Sequence, residues 1–161
     1  MKRLFLVTVL AGFLINCSQG QQSPRVSAEG IGIKVSYGQP SKRGREIFGA
    51  LVPYGEVWRT GANEATEITF SKDTKFGGQS VKAGTYSLFT IPGEKEWTII
   101  LNSELKQWGA YEYNKIKSKD VLQVKVPVQK AAAVVEKLTI TLADNMMTIS
   151  WDTTKVEIKI G

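Results

Sequence analysis

The strongest constraint on the fold is a two-residue period in hydrophobicity that runs through the C-terminal part of the chain. Apolar residues alternate with polar residues or proline over 121–128, and the pattern returns over 138–142, 147–151 and 156–160. Such alternation places successive side chains on opposite faces of a β-strand, so that one face is buried. The pair Asp144-Asn145 separates two of these runs and is typical of a tight hairpin turn. This part is therefore predicted to form antiparallel strands.

The central part of the chain carries the same signal in shorter pieces. Residues 67–70, 85–91 and 97–101 are rich in β-branched and aromatic side chains, and glycine or proline lies between them. Many short strands with tight turns predict an all-β fold. We expect an antiparallel β-sandwich, or a small barrel, with one or two short helical turns.

Helix signals are few. Residues 45–51 place apolar side chains at helical spacing over about two turns. Residues 103–108 could form a single turn. The segment 131–136 is compatible with a helix and equally with a loop or bulge, because it lies between two strand patterns.

The N-terminal segment is predicted to be an export signal and not part of the fold. A short positive head precedes the apolar run 4–15, which is too short to span a bilayer, since about 20 residues are needed. Cys17 follows in a context that resembles the lipobox of bacterial lipoproteins, in which this cysteine is lipidated. Asn16 departs from that pattern, and ordinary signal cleavage before Gln21 is the alternative.

These observations predict two parts. Residues 1–20 form the signal and a polar tether, and residues 21–161 form one β-sandwich domain. We expect an exported protein of the periplasm or outer membrane, which contacts the membrane only through a lipid anchor at Cys17.

Composition excludes several kinds of chemistry. The 161 residues include no histidine and one cysteine, which excludes imidazole-based zinc sites, Ser-His-Asp triads, Cys-His dyads and intrachain disulfides. Carboxylates alone would favour calcium, but the acidic turns at 71–73 and 144–145 lack the dense acidic spacing of a calcium loop. We therefore predict no metal and no cofactor.

The charge balance is only mildly basic. Without residues 1–16 the chain has 19 basic and 15 acidic residues. The tightest basic group is Lys42, Arg43 and Arg45, and no aromatic side chains are interleaved with it. Nucleic acid is therefore not expected as a partner.

Candidate binding residues lie where the alternation fails. The longest such stretch, 37–66, combines aromatic, cationic, amide and acidic side chains, a mixture that suits a polar or carbohydrate-like ligand. A second aromatic cluster lies in the loop that contains Trp108, Tyr111 and Tyr113. The predicted ligand-binding residues are Tyr37, Trp58, Arg59, Asn63, Glu64 and Trp108.

A structural role is the alternative for the same residues. Trp58 could belong to the core, while an ion pair between Arg59 and Glu64 pins the turn that joins them. Trp108 could close one end of the core. For Trp97 and Trp151, which lie on strand patterns, a core position is predicted.

Three kinds of function are compatible with this pattern. The first is a non-enzymatic envelope domain that binds a small polar or carbohydrate-like ligand, or a partner protein. The second is a glycan hydrolase or lyase that uses two carboxylates drawn from Glu56, Glu64, Glu112 and Asp120, although no spacing makes any two of them partners. The third is a purely structural role in envelope assembly.

Three long motifs resemble a known family. The runs SYGQPSKRGREIFGALVPYGEVWRTGANEATEITFSKD, AGTYSLFTIPGEKEWTIILN and QWGAY are similar to domain of unknown function family 2911, which is found in exported proteins of Gram-negative bacteria. The resemblance extends from about Ile31 to the C-terminus. It implies an all-β domain behind an export or lipoprotein signal, and it implies no catalytic residue. The family's most recognisable motif contains Tyr37, Gly38, Pro40, Arg43, Arg45, Trp58, Arg59, Gly61, Asn63 and Glu64.

Overall fold

The computed structural model describes residues 23–161. This part of the chain is built from antiparallel strands, with one short helical segment between the seventh and eighth strands. The strands are β1 (Arg25–Gly30), β2 (Ile33–Gly38), β3 (Thr66–Phe70), β4 (Thr74–Phe76), β5 (Gln79–Val81), β6 (Gly84–Ile91), β7 (Glu96–Asn102), β8 (Asp120–Ala143) and β9 (Met146–Lys159). The helical segment is α1 (Tyr113–Ile116), followed by a 3₁₀ turn over Lys117–Lys119.

Seven strands form one curled sheet in the order β1-β2-β3-β6-β7-β8-β9, and every neighbouring pair is antiparallel. Strands β4 and β5 form a separate hairpin. The curled sheet makes a half-barrel, which confirms the predicted all-β class with a short helical turn. The strands that the sequence did not reveal are β1, β2, β4 and β5, each of which has three to six residues.

Strands β8 and β9 form a long ribbon that bends back toward the end of the chain. The register shifts twice between Lys130 and Thr139, so the segment 131–136 is a bulge and not a helix. The predicted hairpin at the ribbon tip is confirmed, because Asp144 and Asn145 have φ of 50° and 58° and so adopt the left-handed conformation of a tight β-turn. The bend brings the tip to the C-terminal end, where the Ile160 N–H donates to the Asn145 carbonyl over 2.7 Å.

The concave side of the sheet encloses the main core. Four aromatic rings meet there, and we refer to Phe48, Trp58, Trp97 and Trp151 as the aromatic core cluster. The ring centroids of Phe48 and Trp97 are 4.9 Å apart, and Trp58 stacks on Trp151 at 6.0 Å with 16° between the planes. Trp97 and Trp151 are almost fully buried, so their predicted core positions are confirmed.

A second, smaller core lies on the convex side of the sheet. It contains Ala65, Phe89, Ile100 and Tyr113, with partly buried neighbours such as Ile116. The phenyl ring of Phe89 packs edge-on against Tyr113 at 5.3 Å. Because Tyr113 and Ile116 belong to the loop that joins β7 to β8, this core fixes that loop on the outer face.

Two of the helix predictions are wrong. Residues 45–51 form turns, because Gly49 has φ of +92° and ends any helical run, while Ile47 and Phe48 are both buried. Residues 103–108 are not helical either, because the Asn102 side chain accepts the Glu104 N–H at 2.8 Å and holds the chain in a turn. The helical turn occurs further along, at α1.

The segment after β2 closes the free edge of the second half of β8. The Leu138 N–H donates to the Pro40 carbonyl over 2.9 Å, and the Lys42 N–H donates to the Glu136 carbonyl over 2.7 Å. These bonds satisfy backbone groups that β7, which pairs only with the first half of β8, does not reach. Within residues 23–161, no helix is both long and apolar enough to cross a membrane.

Candidate functional site

Residues 58–61 connect the core to the surface. Trp58 pairs with Thr90 of β6 through two backbone hydrogen bonds of 2.7 and 2.9 Å, and its ring points inward. The next side chain, Arg59, points outward and is half-buried. The Trp58 Nε1 and the Arg59 Nε both donate to the carbonyl of Gly61, over 3.1 and 3.3 Å. One carbonyl therefore orients a core residue and a surface residue together.

Close backbone approach fixes this segment against β2. A Cβ at Gly38 would lie 2.0 Å from the Ala62 carbonyl oxygen, and a Cβ at Gly61 would lie 2.9 Å from the Gly38 carbonyl oxygen. Only glycine permits these contacts. The glycines of this motif therefore have a packing role.

Tyr37 is also a core residue. Its ring is buried, and its hydroxyl accepts the Ile140 N–H of β8 at 3.1 Å. The structure thus places two of the six predicted ligand residues, Tyr37 and Trp58, inside the half-barrel. Trp58 therefore belongs to the core, as the structural alternative predicts.

The other four predicted residues lie together because two loops join outside the sheet. The Ala65 N–H donates to the Gln107 carbonyl over 2.8 Å, and the Gly109 N–H donates to the Asn63 carbonyl over 3.0 Å. These bonds flank the pair Glu64 and Trp108. In an antiparallel ladder, such a non-hydrogen-bonded pair has its side chains closest together.

We call Arg59, Glu64, Trp108 and Tyr111 the exposed patch. Trp108 is 62% exposed and Tyr111 is 75% exposed, the two largest values for an aromatic side chain in residues 23–161. A Cβ at Gly109 would lie 2.6 Å from the Tyr111 ring and 2.9 Å from the Arg59 Nη1. The Tyr111 ring and the Arg59 guanidinium therefore both pack over Gly109, in the space that a Cβ would need.

Arg59 and Glu64 do not form the predicted ion pair. Glu64 lies 3.7 Å from the guanidinium of Arg25 on β1. Glu64 therefore forms an ion pair, but its partner is Arg25 and not Arg59. The exposed carboxylate of Glu64 faces β1 and not the neighbouring Arg59. The Asn63 amide donates to the Ser23 carbonyl over 3.2 Å, which ties the start of the described chain to this loop.

A polar network holds the loop that carries Trp108. Asp120 accepts from the Tyr113 hydroxyl at 2.6 Å, from the Asn102 amide at 2.7 Å and from the Gln123 amide at 2.8 Å. Burial raises the pKa of the Tyr113 hydroxyl above its usual range, and the hydrogen bond to Asp120 and the Asp120 charge raise it further. Tyr113 therefore remains a neutral donor that pins α1 to the start of β8.

The remaining carboxylates from the sequence are distributed over the surface. Glu112 pairs with Lys115 within the loop, Asp120 is the acceptor described above, and Glu56 is exposed in a turn. Within residues 23–161, no three His, Cys, Asp or Glu side chains form a group that could hold a metal ion. Cys17 lies outside the described residues.

Comparison with known proteins places the chain in a family. A family model described as a protein of unknown function, DUF2911, matches residues 20–160. The chain belongs to the DUF2911 family. Searches of curated proteins and of solved structures find no match to it. The DUF2911 match includes the whole half-barrel and both loops of the exposed patch.

The sequence predicts most of the exposed patch, but two residues of this DUF2911 protein are missing from the prediction: Tyr111, which belongs to the patch, and Arg25, which contacts it. Tyr111 was part of the second aromatic cluster but was not among the predicted ligand residues, although its position two residues after Gly109 in a loop is the signal that could have identified it. Arg25 had no such signal. Its proximity to Glu64 depends on the pairing of β1 with β2, and β1 was not predicted.

Proposed function

We propose that this protein is a non-catalytic domain that binds a carbohydrate through the exposed patch. The observation that carries the proposal is the position of Trp108 and Tyr111, two largely exposed aromatic side chains beside the polar groups of Arg59 and Glu64. Large aromatic side chains are normally buried, and their exposure beside polar groups is typical of a binding surface.

The chemistry of the patch fits a sugar. The C–H-rich face of a pyranose ring packs on an aromatic ring, while its hydroxyl groups need donors and acceptors at the rim. Arg59 supplies donors and Glu64 supplies acceptor oxygens. The loops are braced by backbone bonds and by the Asp120 network, so the patch is held in place before a ligand arrives.

The distribution of carboxylates supports binding over glycan cleavage. Asp120 is engaged by three donors beneath the loop, and Glu112 pairs with Lys115. Glu64 faces Arg25. A glycosidase needs two carboxyl groups facing each other across a cleft, and these three groups are directed toward other partners.

The test is binding to a panel of soluble neutral and acidic polysaccharides by affinity electrophoresis and calorimetry. We expect Trp108→Ala and Tyr111→Ala to weaken binding by roughly tenfold or more, as for buried aromatic anchors in other interfaces. The matched control is Tyr54→Ala, which removes an aromatic ring that is 42% exposed outside the patch. Binding that survives both patch substitutions, or that Tyr54→Ala weakens equally, would contradict the proposal.

We also propose that the domain is exported and tethered to a membrane by lipid on Cys17. Support comes from the apolar run before Cys17 and the polar stretch after it. In a Gram-negative host, radiolabelled palmitate should be incorporated into the wild-type protein and not into Cys17→Ser. Equal labelling of both would exclude lipidation at this residue.

A further inference from the structure

Arg59 is held in a way that leaves one edge of its guanidinium without a hydrogen-bond partner. Its Nε donates to the Gly61 carbonyl at 3.3 Å, and the side chain is half-buried. Among residues 23–161, neither Nη atom of Arg59 has a hydrogen-bond or ion-pair partner. The edge that carries Nη1 and Nη2 presents two parallel N–H donors, the geometry that matches a carboxylate.

No acidic side chain of residues 23–161 forms an ion pair with Arg59. Glu64 faces Arg25 at 3.7 Å, and a carboxyl oxygen of Glu67 lies 3.4 Å from the Lys106 N–H. The described chain therefore does not place an anion on the Nη edge of Arg59. Partial burial strengthens the attraction between this cation and an incoming anion, because less water screens the pair.

Resting on the carbohydrate-binding function proposed above, we infer that the ligand is an acidic saccharide. Its carboxylate binds the Nη edge of Arg59 through two charge-assisted hydrogen bonds, while its ring packs on Trp108 or Tyr111. The Gly61 carbonyl, which accepts from the Arg59 Nε, helps to orient the guanidinium.

The experiment compares acidic sugars with their uncharged methyl esters. Oligomers of galacturonate, glucuronate and mannuronate are each titrated against their methyl esters, which keep the ring and lose the anion. We expect at least one acid to bind roughly tenfold or more tightly than its ester, the effect of one charge-assisted bidentate contact.

Three variants assign that difference to Arg59. Arg59→Gln should remove the preference for the acid, and Arg59→Lys should retain only part of it, because an ammonium keeps the charge and lacks the paired donors. The matched control is Lys72→Gln, which removes an exposed cation from the turn at the far end of β3. It should leave the preference unchanged. The melting temperature of each variant is measured as well, and it should match that of the wild type.

The outcomes separate this inference from the proposed function. If acid and ester bind equally and Trp108→Ala weakens both, the acidic preference is wrong and carbohydrate binding stands. If Lys72→Gln reduces the preference as much as Arg59→Gln, the attraction comes from overall charge and the inference is wrong. If no oligomer or polysaccharide binds at all, both proposals fall.

Discussion

The aromatic core cluster and the exposed patch use similar residues for opposite purposes. Trp58 and Trp151 stack inside the half-barrel, whereas Trp108 and Tyr111 stand in solvent. The two regions meet at one atom, the Gly61 carbonyl oxygen, which accepts from Trp58 on the inside and from Arg59 on the outside. Neighbouring residues of one motif are therefore placed in the core and at the surface, and it is at the surface that we propose binding.

The largest expected contrast is in stability. Replacing Trp151 with alanine should lower the free energy of unfolding by about 3–5 kcal/mol, because it leaves a cavity beside Trp58 and removes the hydrogen bond of 3.2 Å from Trp151 Nε1 to the Glu136 carbonyl. Trp108→Ala should change the free energy by less than about 0.5 kcal/mol. Urea unfolding followed by far-ultraviolet circular dichroism measures both. Comparable losses in the two variants would remove the distinction between the regions.

An intermediate effect is expected at the glycine that shapes the patch. Gly109 and Gly44 have nearly the same φ, +70° and +69°, but a Cβ at Gly44 meets nothing within 4 Å. Alanine at Gly44 should therefore cost only the left-handed backbone strain, about 1–2 kcal/mol. Alanine at Gly109 should cost more and should also displace Tyr111 and Arg59.

The pair of glycine variants is read by thermal unfolding together with sugar titration. Gly44→Ala should keep wild-type affinity, whereas Gly109→Ala should lose it. If Gly109→Ala is no less stable than Gly44→Ala and binds normally, Tyr111 and Arg59 do not pack over Gly109 as the structure shows.

The smallest effect concerns pH and the loop beneath the patch. Tyr113 has a raised pKa in the folded state, so the unfolded chain loses this proton first, near its ordinary pKa of about 10. The stabilising contribution of Tyr113 is complete below about pH 10 and declines as the pH rises further. Tyr113→Phe should cost about 1 kcal/mol at neutral pH and should show a shallower alkaline decline.

Melting temperatures of wild type and Tyr113→Phe from about pH 8 to about pH 11 test this, with tyrosinate absorbance as an independent readout. Tyr54→Phe is the control, because Tyr54 is exposed and its ring packs beside Gly49. Parallel stability curves for wild type and Tyr113→Phe would show that the hydroxyl of Tyr113 is not held as described.

The sequence was most informative where a side-chain pattern repeats. Alternation predicted the all-β class, the ribbon hairpin at Asp144 and Asn145, and the buried positions of Trp97 and Trp151, because one-sided burial leaves a periodic trace. The side-chain pattern was misleading at 45–51, where apolar residues at helical spacing lie in turns around Gly49. Local spacing could not reveal that both Ile47 and Phe48 pack into the core.

The composition of the exposed patch was partly predictable and its assembly was not. Arg59, Glu64 and Trp108 were recognised as departures from the strand pattern. Their meeting depends on backbone pairing between residues more than forty positions apart, namely Asn63 with Gly109 and Ala65 with Gln107. The partner of Glu64 was missed for the same reason, since Arg25 reaches it only through the register of β1.

Gly161 is tied to the β4–β5 hairpin, which begins more than eighty positions before it in the sequence. Lys75 and Gly161 exchange two backbone hydrogen bonds, of 2.6 and 3.0 Å, and the Gly77 N–H reaches the Lys159 carbonyl at 2.8 Å. Contacts of such long sequence separation slow folding, because a large loop must close before they form. The β4–β5 hairpin can therefore reach its final position only after the segment around Gly161 has been synthesised and has left the ribosome.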